Sequence, residues 1–410
     1  MSPSLLFNIL VGIVVVNFLK EEIISFFNAK HFNDKLPESL ADVYDEKEYR
    51  KSQKYKKTNY DFSLFTNSFS ILLILSFFFF EGFSWLDDIV RGFTNNEIFQ
   101  ALIYFGILFF GSDLLNIPFS YYKTFVIEEK FGFNKSTKKL FFLDQLKGWL
   151  LAILLGAPLL VCITWLYGRL GNQFWIFTWG VIASFTIFMN LFYSSLIVPL
   201  FNKQKLLEDG ELKIKLEDFT KSIGFQLDKI FVIDGSKRST KANAYFSGFG
   251  TKKRIVLYDT LIKELSTDEI VAVFAHEVGH YKGKHIIFNL ITFMLLTGFT
   301  LYVLSLLIGN PLLSEALGVE IPSFHIGLIT FSILYIPISE FTGLVMNLIS
   351  RTFEYQADDF AKEHTSSEDL ISSLKKLSKN SLSNLTPHKA TVFMYYSHPS
   401  LLERIRNLRK

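Results

Sequence analysis

Residues 276–280 read His276-Glu277-Val278-Gly279-His280, in a chain whose other long stretches are apolar. On a helix the two histidines stand four apart, so their imidazoles share one face, a turn apart. Two imidazoles at that spacing can share one zinc ion. The carboxylate of Glu277 can then reach water in an open fourth position as general base. A surface helix with two solvated histidines is the plainer alternative, and the flanks oppose it. Ser266-Thr267-Asp268-Glu269 offers a capping box with Ser266 as N-cap. Ile270, Val271, Val273, Phe274 and Val278 surround the histidines with apolar surface, which keeps competing water from a metal site. Gly279 is costly inside a helix, so a close approach by another element is expected there.

Half of the 410 residues are hydrophobic and 45 are Phe, a composition that points to membrane spans. The net charge of +3 gives no reason to expect nucleic acid as a partner. The single cysteine, Cys162, excludes a disulfide framework or a cysteine-built metal site within one chain. Seven segments, near 4–19, 61–80, 98–118, 149–168, 174–200, 286–309 and 323–350, approach the ~20 apolar residues a bilayer requires. The first is short, and tilt or snorkelling of Lys20 extends it. Without a basic leader or a small-residue cleavage site, it reads as a retained span.

Basic residues orient these spans. Arg91 and Arg169 are the only Lys or Arg in 1–3, 86–97, 169–173 and 310–322, while the rest of the 42 lie in 20–60, 119–148, 201–285 and 351–410. The second set is therefore expected on the cytoplasmic side, with the N-terminus outside or lumenal and the C-terminus cytoplasmic. The His-Glu-x-x-His helix falls on that side, just before the sixth span. The charged loop 20–60 is read as solvated and orientation-setting, with binding of anionic lipid headgroups as the alternative.

The predicted organisation is helices 1–5 over 1–200, a cytoplasmic part with the zinc helix over 201–285, helices 6 and 7 over 286–350, and a second cytoplasmic part over 351–410. Within 201–285, residues 207–223 read as helix and Lys229–Ile233 and Arg254–Tyr258 as strands, with 243–249 a candidate third strand. Residues 351–410 read as mostly helical, with breaks near Pro387 and Pro399. Asp113 and Glu340 inside spans are expected to face a water-filled interior, and Asn116, Asn190 and Asn289 to bond between helices.

Two histidines need a third protein ligand. Arg351-Thr352-Phe353-Glu354-Tyr355-Gln356-Ala357-Asp358, just past the seventh span, offers one. Glu354 can bind zinc, while Asp358, a turn later, can accept the free N–H of a ligand histidine and fix its tautomer. Alone, such a pair would read as solvated surface.

With these motifs in place, the chain resembles the type I CAAX prenyl endopeptidases, integral-membrane zinc metalloproteases of the ER membrane, and their bacterial relatives. The likeness covers nearly the whole chain. It runs through Leu36-Pro37 to Asp45, Lys51-Ser52-Gln53, Gly235-Ser236-Lys237-Arg238-Ser239, Asn243-Ala244-Tyr245-Phe246 and Arg254 to Leu261. It continues through the zinc helix, Phe353 to Asp358, and Ser397-His398-Pro399 with Glu403-Arg404-Ile405. The resemblance implies a mainly α-helical polytopic membrane protein. Seven transmembrane helices would enclose an intramembrane chamber, capped by a cytoplasmic zincin-like α+β metalloprotease domain. It implies one zinc per chain, held by His276, His280 and Glu354, with Glu277 as base. It also implies Asn243, Ala244, Tyr245 and Phe246 as a substrate-binding edge strand, and His398 and Arg404 as groups that bind substrate or stabilise the oxyanion. One departure bears on the substrate. The eukaryotic branch usually has His-Ser before Asn-Ala-Tyr-Phe; this chain has Lys241-Ala242, as bacterial members often do.

The expected activity is zinc-dependent hydrolysis of peptide bonds near the C-terminus of a peptide or protein substrate, prenylated or not, beside the lipid bilayer. A broad-specificity protease that clears misfolded membrane proteins would use the same residues. A non-enzymatic transporter or lipid-binding protein with structural zinc is the remaining alternative. Structural zinc usually takes four protein ligands, and a glutamate directly after the first histidine argues for an open site. The host membrane would be the ER membrane in a eukaryote or the inner membrane in a bacterium.

Overall fold

Long apolar runs set the architecture, because a backbone without water must satisfy its hydrogen bonds within one segment. The computed structural model describes residues 1–32, 35–226, 229–247 and 254–410. Among these, six helical stretches are long and apolar enough to cross a membrane. They are α1 (Pro3–Lys30), α2 (Glu46–Phe79), a run over Glu97–Phe131 that opens with α3 (Glu97–Tyr122), a run over Lys138–Phe201, and helices at His285–Leu307 and Phe324–His364. The Lys138–Phe201 run contains two of the seven predicted spans. It turns back at Gly171, whose φ of +52° suits glycine, and its legs α4 (Ala157–Leu170) and α5 (Phe174–Phe192) pack on each other.

Two expectations are corrected here. Most of 20–60 is helix rather than loop: α1 continues to Lys30, and α2 starts behind a capping box of Asp45 and Glu48. Capping and the helix propensity of Lys and Glu outweigh the charge that made the segment read as loop. Asn116 and Asn190 do not bridge helices; each donates to a carbonyl of its own preceding turn, Ser112 at 2.9 Å and Thr186 at 3.0 Å. Glu340 pairs with Lys20 at 2.5 Å, and Asp113 accepts from Trp149 Nε1 at 2.5 Å and from Gln145.

The spanning windows bury only 6% to 17% of their residues. The helices meet instead at clusters such as Leu6, Leu10, Phe83 and Ile326, and Leu166, Phe174, Leu304 and Phe324.

The largest core lies beyond the spans. Strands β1 (Gln204–Leu206), β2 (Lys229–Ile233), β3 (Ala244–Ser247) and β4 (Arg254–Tyr258) form a sheet of order β1-β2-β4-β3. Strands β2 and β4 run parallel, with Ile230 opposite Ile255, and β1 and β3 are antiparallel additions at the two edges. Both predicted strands are present; β1 was not anticipated, and Gly248 and Phe249 of the candidate third strand lie outside the described residues. α6 (Thr267–Lys282) begins with the predicted Ser266–Glu269 capping box. It is followed by α7 (His285–Leu307), α8 (Phe324–His364), α9 (Ser367–Asn380) and, at the C-terminus, α10 (Leu401–Leu408). α6 packs against the end of α8, against α9 and against the helix Glu211–Ser222. Gly279 answers the expected close approach: a Cβ there would lie 3.0 Å from Ala357 Cα and 3.1 Å from its carbonyl oxygen.

Candidate metal centre and active site

The crossing of α6 and α8 at Gly279 brings the two halves of the site together. His276, His280 and Glu354 each turn a ligand-type atom inward, and these atoms lie within 4.8 Å of one another. His280 Nε2 is 3.2 Å from His276 Nε2 and 3.2 Å from Glu354 Oε1. Glu354 Oε2 is buried and accepts no hydrogen bond, with His276 Nε2 at 3.5 Å and Arg404 Nη1 at 3.6 Å. A buried carboxylate oxygen left in this state costs free energy unless a cation completes it. Two facing imidazole nitrogens with such a carboxylate form the donor set that zinc takes in open sites, so the residues fit a metal.

The far side of His276 is also fixed. Its Nδ1 lies 2.9 Å from Asp358 Oδ1, which accepts its proton and leaves Nε2 as the free lone pair. Arg404, from α10, holds the same carboxylate with two nitrogens, Nε at 2.9 Å from Oδ2 and Nη2 on Oδ1. Its predicted contact with substrate therefore competes with this bidentate clamp. Only Nη1 is directed toward Glu354.

Glu277 lines a cavity of about 460 Å³ together with His276, His280, Glu354, His398 and Arg404. Burial pushes its carboxyl above the usual range, against the pull of the two histidines. His398 sits over Glu354, with Nε2 3.2 Å from Oε1 and its ring largely open to the cavity. Asn243 and Ala244 form part of the same cavity wall. Tyr245 and Phe246, predicted as part of the same edge, instead line a second cavity of about 610 Å³ that shares Asn243. The start of the strand thus faces one space and its middle the other, with Asn243 between them. β3 pairs only with β4 among the described residues, which leaves its outer edge available to an extended chain. Lys241 turns away from the cavity to Glu128 at 2.9 Å and over the Phe133 ring at 4.4 Å, while Ala242 lines it.

Sequence reasoning missed His285 and gave Gln356 no role. His285 Nδ1 lies 3.0 Å from His280 Nδ1, and His285 Nε2 lies 2.8 Å from Gln356 Oε1. A third histidine five residues past His280 was the available signal, but nothing in its spacing distinguishes it from a span-capping residue.

Helices long and apolar enough to cross a membrane, and a cavity on which two histidines and a glutamate converge, define a class, the membrane metallopeptidases. Residues 206–410 match Peptidase family M48, and residues 26–203 match the family described as CAAX prenyl protease N-terminal, five membrane helices. The chain belongs to Peptidase family M48. It is 36% identical to CAAX prenyl protease 1 homolog of Oryza sativa subsp. japonica, over 91% of this chain and 90% of that protein. It is 35% identical to CAAX prenyl protease 1 of Saccharomyces cerevisiae, over 98% and 94%. With the human CAAX prenyl protease 1 homolog it shares 31%, over 91% and 88%. The crystal structure of S. mikatae Ste24p superposes with a TM-score of 0.94 at 34% identity, covering 99% of each chain. The protein is a multi-pass membrane metalloendopeptidase that acts on peptide or protein substrates.

Proposed function

We propose that this chain hydrolyses peptide bonds near the C-terminus of prenylated CAAX-type protein substrates, using one zinc held by His276, His280 and Glu354. The observation that carries the reading is the convergence of these three ligand-type atoms within 4.8 Å, in a cavity shared with Glu277 and the β3 edge. The names of relatives that align over nine-tenths of the chain support the substrate class. When bound, zinc supplies Lewis-acid chemistry, acidifying water and polarising the scissile carbonyl.

The chain's own residues supply the rest. An extended substrate pairs its backbone with the outer edge of β3 and lies across the cavity. Glu277, lining the cavity beside the three ligand-type atoms, accepts the proton of the attacking water and returns it to the leaving amine. His398, whose ring is largely open to the cavity, turns its Nε2 from Glu354 to donate to the oxyanion. Arg404 acts through Asp358, holding the carboxylate that fixes the His276 tautomer. The basic-residue asymmetry supports a cytoplasmic catalytic face and an N-terminus on the opposite side, in the ER membrane of a eukaryotic host or the inner membrane of a bacterial one.

Purified protein should cleave a fluorogenic farnesylated CAAX peptide and leave the same peptide without lipid nearly untouched. Equal cleavage of both would replace the substrate claim with broad-specificity quality control.

A further inference from the structure

His280 has no carboxylate behind it as His276 does, yet its ring is held as tightly. His285 is buried at 3% exposure where α6 gives way to α7, and its two ring nitrogens are both engaged. Gln356 Oε1, 2.8 Å from His285 Nε2, can only accept, so that nitrogen carries the proton. A neutral imidazole has one N–H, so His285 Nδ1 is an acceptor. His280 Nδ1, 3.0 Å away, is then the donor, and His280 Nε2 is left with its lone pair directed at Glu354 and His276. The opposite polarity would put a proton on His280 Nε2 and remove it as a ligand.

Three further features hold the His285 ring in this place. Phe353 stacks on it, with centroids 4.0 Å apart and planes 6° from parallel. Lys284 adopts a left-handed φ of +58°, a strained conformation for a residue with a side chain, and so turns the chain sharply between the helices. Gly283 leaves the space the ring needs, since a Cβ there would stand 2.4 Å from His285 Nε2. Phe353 and Gln356 flank Glu354 on α8, so one helical turn supplies both a metal ligand and the restraints on another.

We infer that Gln356 and His285 form a polar relay that fixes the tautomer and orientation of His280, making His285 a positioning residue for the metal. This rests on the proposed ligand set. Where an ion pair, Asp358–Arg404, supports His276, the relay behind His280 uses two uncharged groups.

The test is zinc affinity, measured by chelator competition on the full-length protein in detergent. His285→Phe keeps ring volume and stacking but removes the acceptor, and its zinc affinity should fall by about 10- to 100-fold. His285→Gln, which offers an acceptor oxygen to His280 Nδ1, should recover most of that loss. His285→Phe leaves buried polar partners unpaired and should lower the melting temperature of the zinc-free protein somewhat. Recovery of zinc affinity in His285→Gln separates the relay from a merely structural role, under which affinity would follow stability alone. Should His285→Phe fail to fold, Gly283→Ala displaces the same ring and carries the same expectation. Wild-type affinity in His285→Phe or Gly283→Ala overturns the relay, as does failure of His285→Gln to exceed His285→Phe. Wild-type protein without zinc would instead overturn the ligand set itself.

Discussion

Asp358 lies 2.9 Å from His276 Nδ1, while Glu354, one turn earlier on the same helix, faces the opposite edge of that imidazole. One helix thus presents one carboxylate to the Nε2 edge of the ring and another to the Nδ1 edge. The spacing of four residues does both jobs because side chains four apart share a helix face.

Removing Asp358 should therefore act twice. Asp358→Ala frees the His276 tautomer and should weaken zinc binding by about 10- to 100-fold. It also strips Arg404, whose side chain is 12% exposed, of its bidentate partner and leaves it only the Glu354 carboxylate at 3.6 Å, so stability should fall by up to about 3–5 kcal/mol. Chelator competition and thermal unfolding of the zinc-free protein read the two effects separately. A variant that loses neither contradicts the assignment.

Gly279→Ala tests the helix crossing. Alanine is intrinsically better in a helix by about 1 kcal/mol. Here the new methyl would meet backbone atoms of Ala357 at 3.0 and 3.1 Å, which cannot rotate away. Overpacking of about 1–3 kcal/mol should win. The variant should melt at lower temperature and lose activity as Glu354 is pushed from the histidines. A raised melting temperature would show that the two helices can separate without cost.

A pH-dependent contribution to stability is expected at the start of α6. Burial raises the Glu269 carboxyl, but Lys376, Ser372 and the Ser266 backbone N–H outweigh it and hold the group below its ordinary value of 4.5. A carboxyl depressed in the folded state stabilises above its unfolded pKa and loses that contribution as pH falls through the folded one. Glu269→Gln should thus melt below wild type at neutral pH, and the gap should close as pH drops below 4.5. A gap that stays constant into strong acid would assign the effect to packing instead.

Much of this was legible in the sequence because the signals were local. The Ser266–Glu269 box, the strands Lys229–Ile233 and Arg254–Tyr258 and the apolar runs each announce themselves within a few residues. What escaped was either short or non-local. β1 has three residues, two of them polar, too few for any periodicity. The Asp45–Glu48 box was present but masked by the charge around it. The partners of Glu340 and Asp113, Lys20 and Trp149, come from other helices, so an unpartnered polar group could not be distinguished from a paired one. The same holds at the site. His276, Glu277 and His280 share one turn, whereas the Arg404–Asp358 clamp and the His285–Gln356 bond join residues 46 and 71 apart in the chain.

The central claim is a zinc endopeptidase with Glu277 as its base. Zinc content and cleavage of the farnesylated peptide, measured together for wild type and Glu277→Gln, test it most directly. The account predicts about one zinc per chain in both proteins and a loss of roughly 10²- to 10⁴-fold in kcat for the variant. Retained cleavage by Glu277→Gln would contradict the base assignment, and absence of zinc from the wild type would contradict the site.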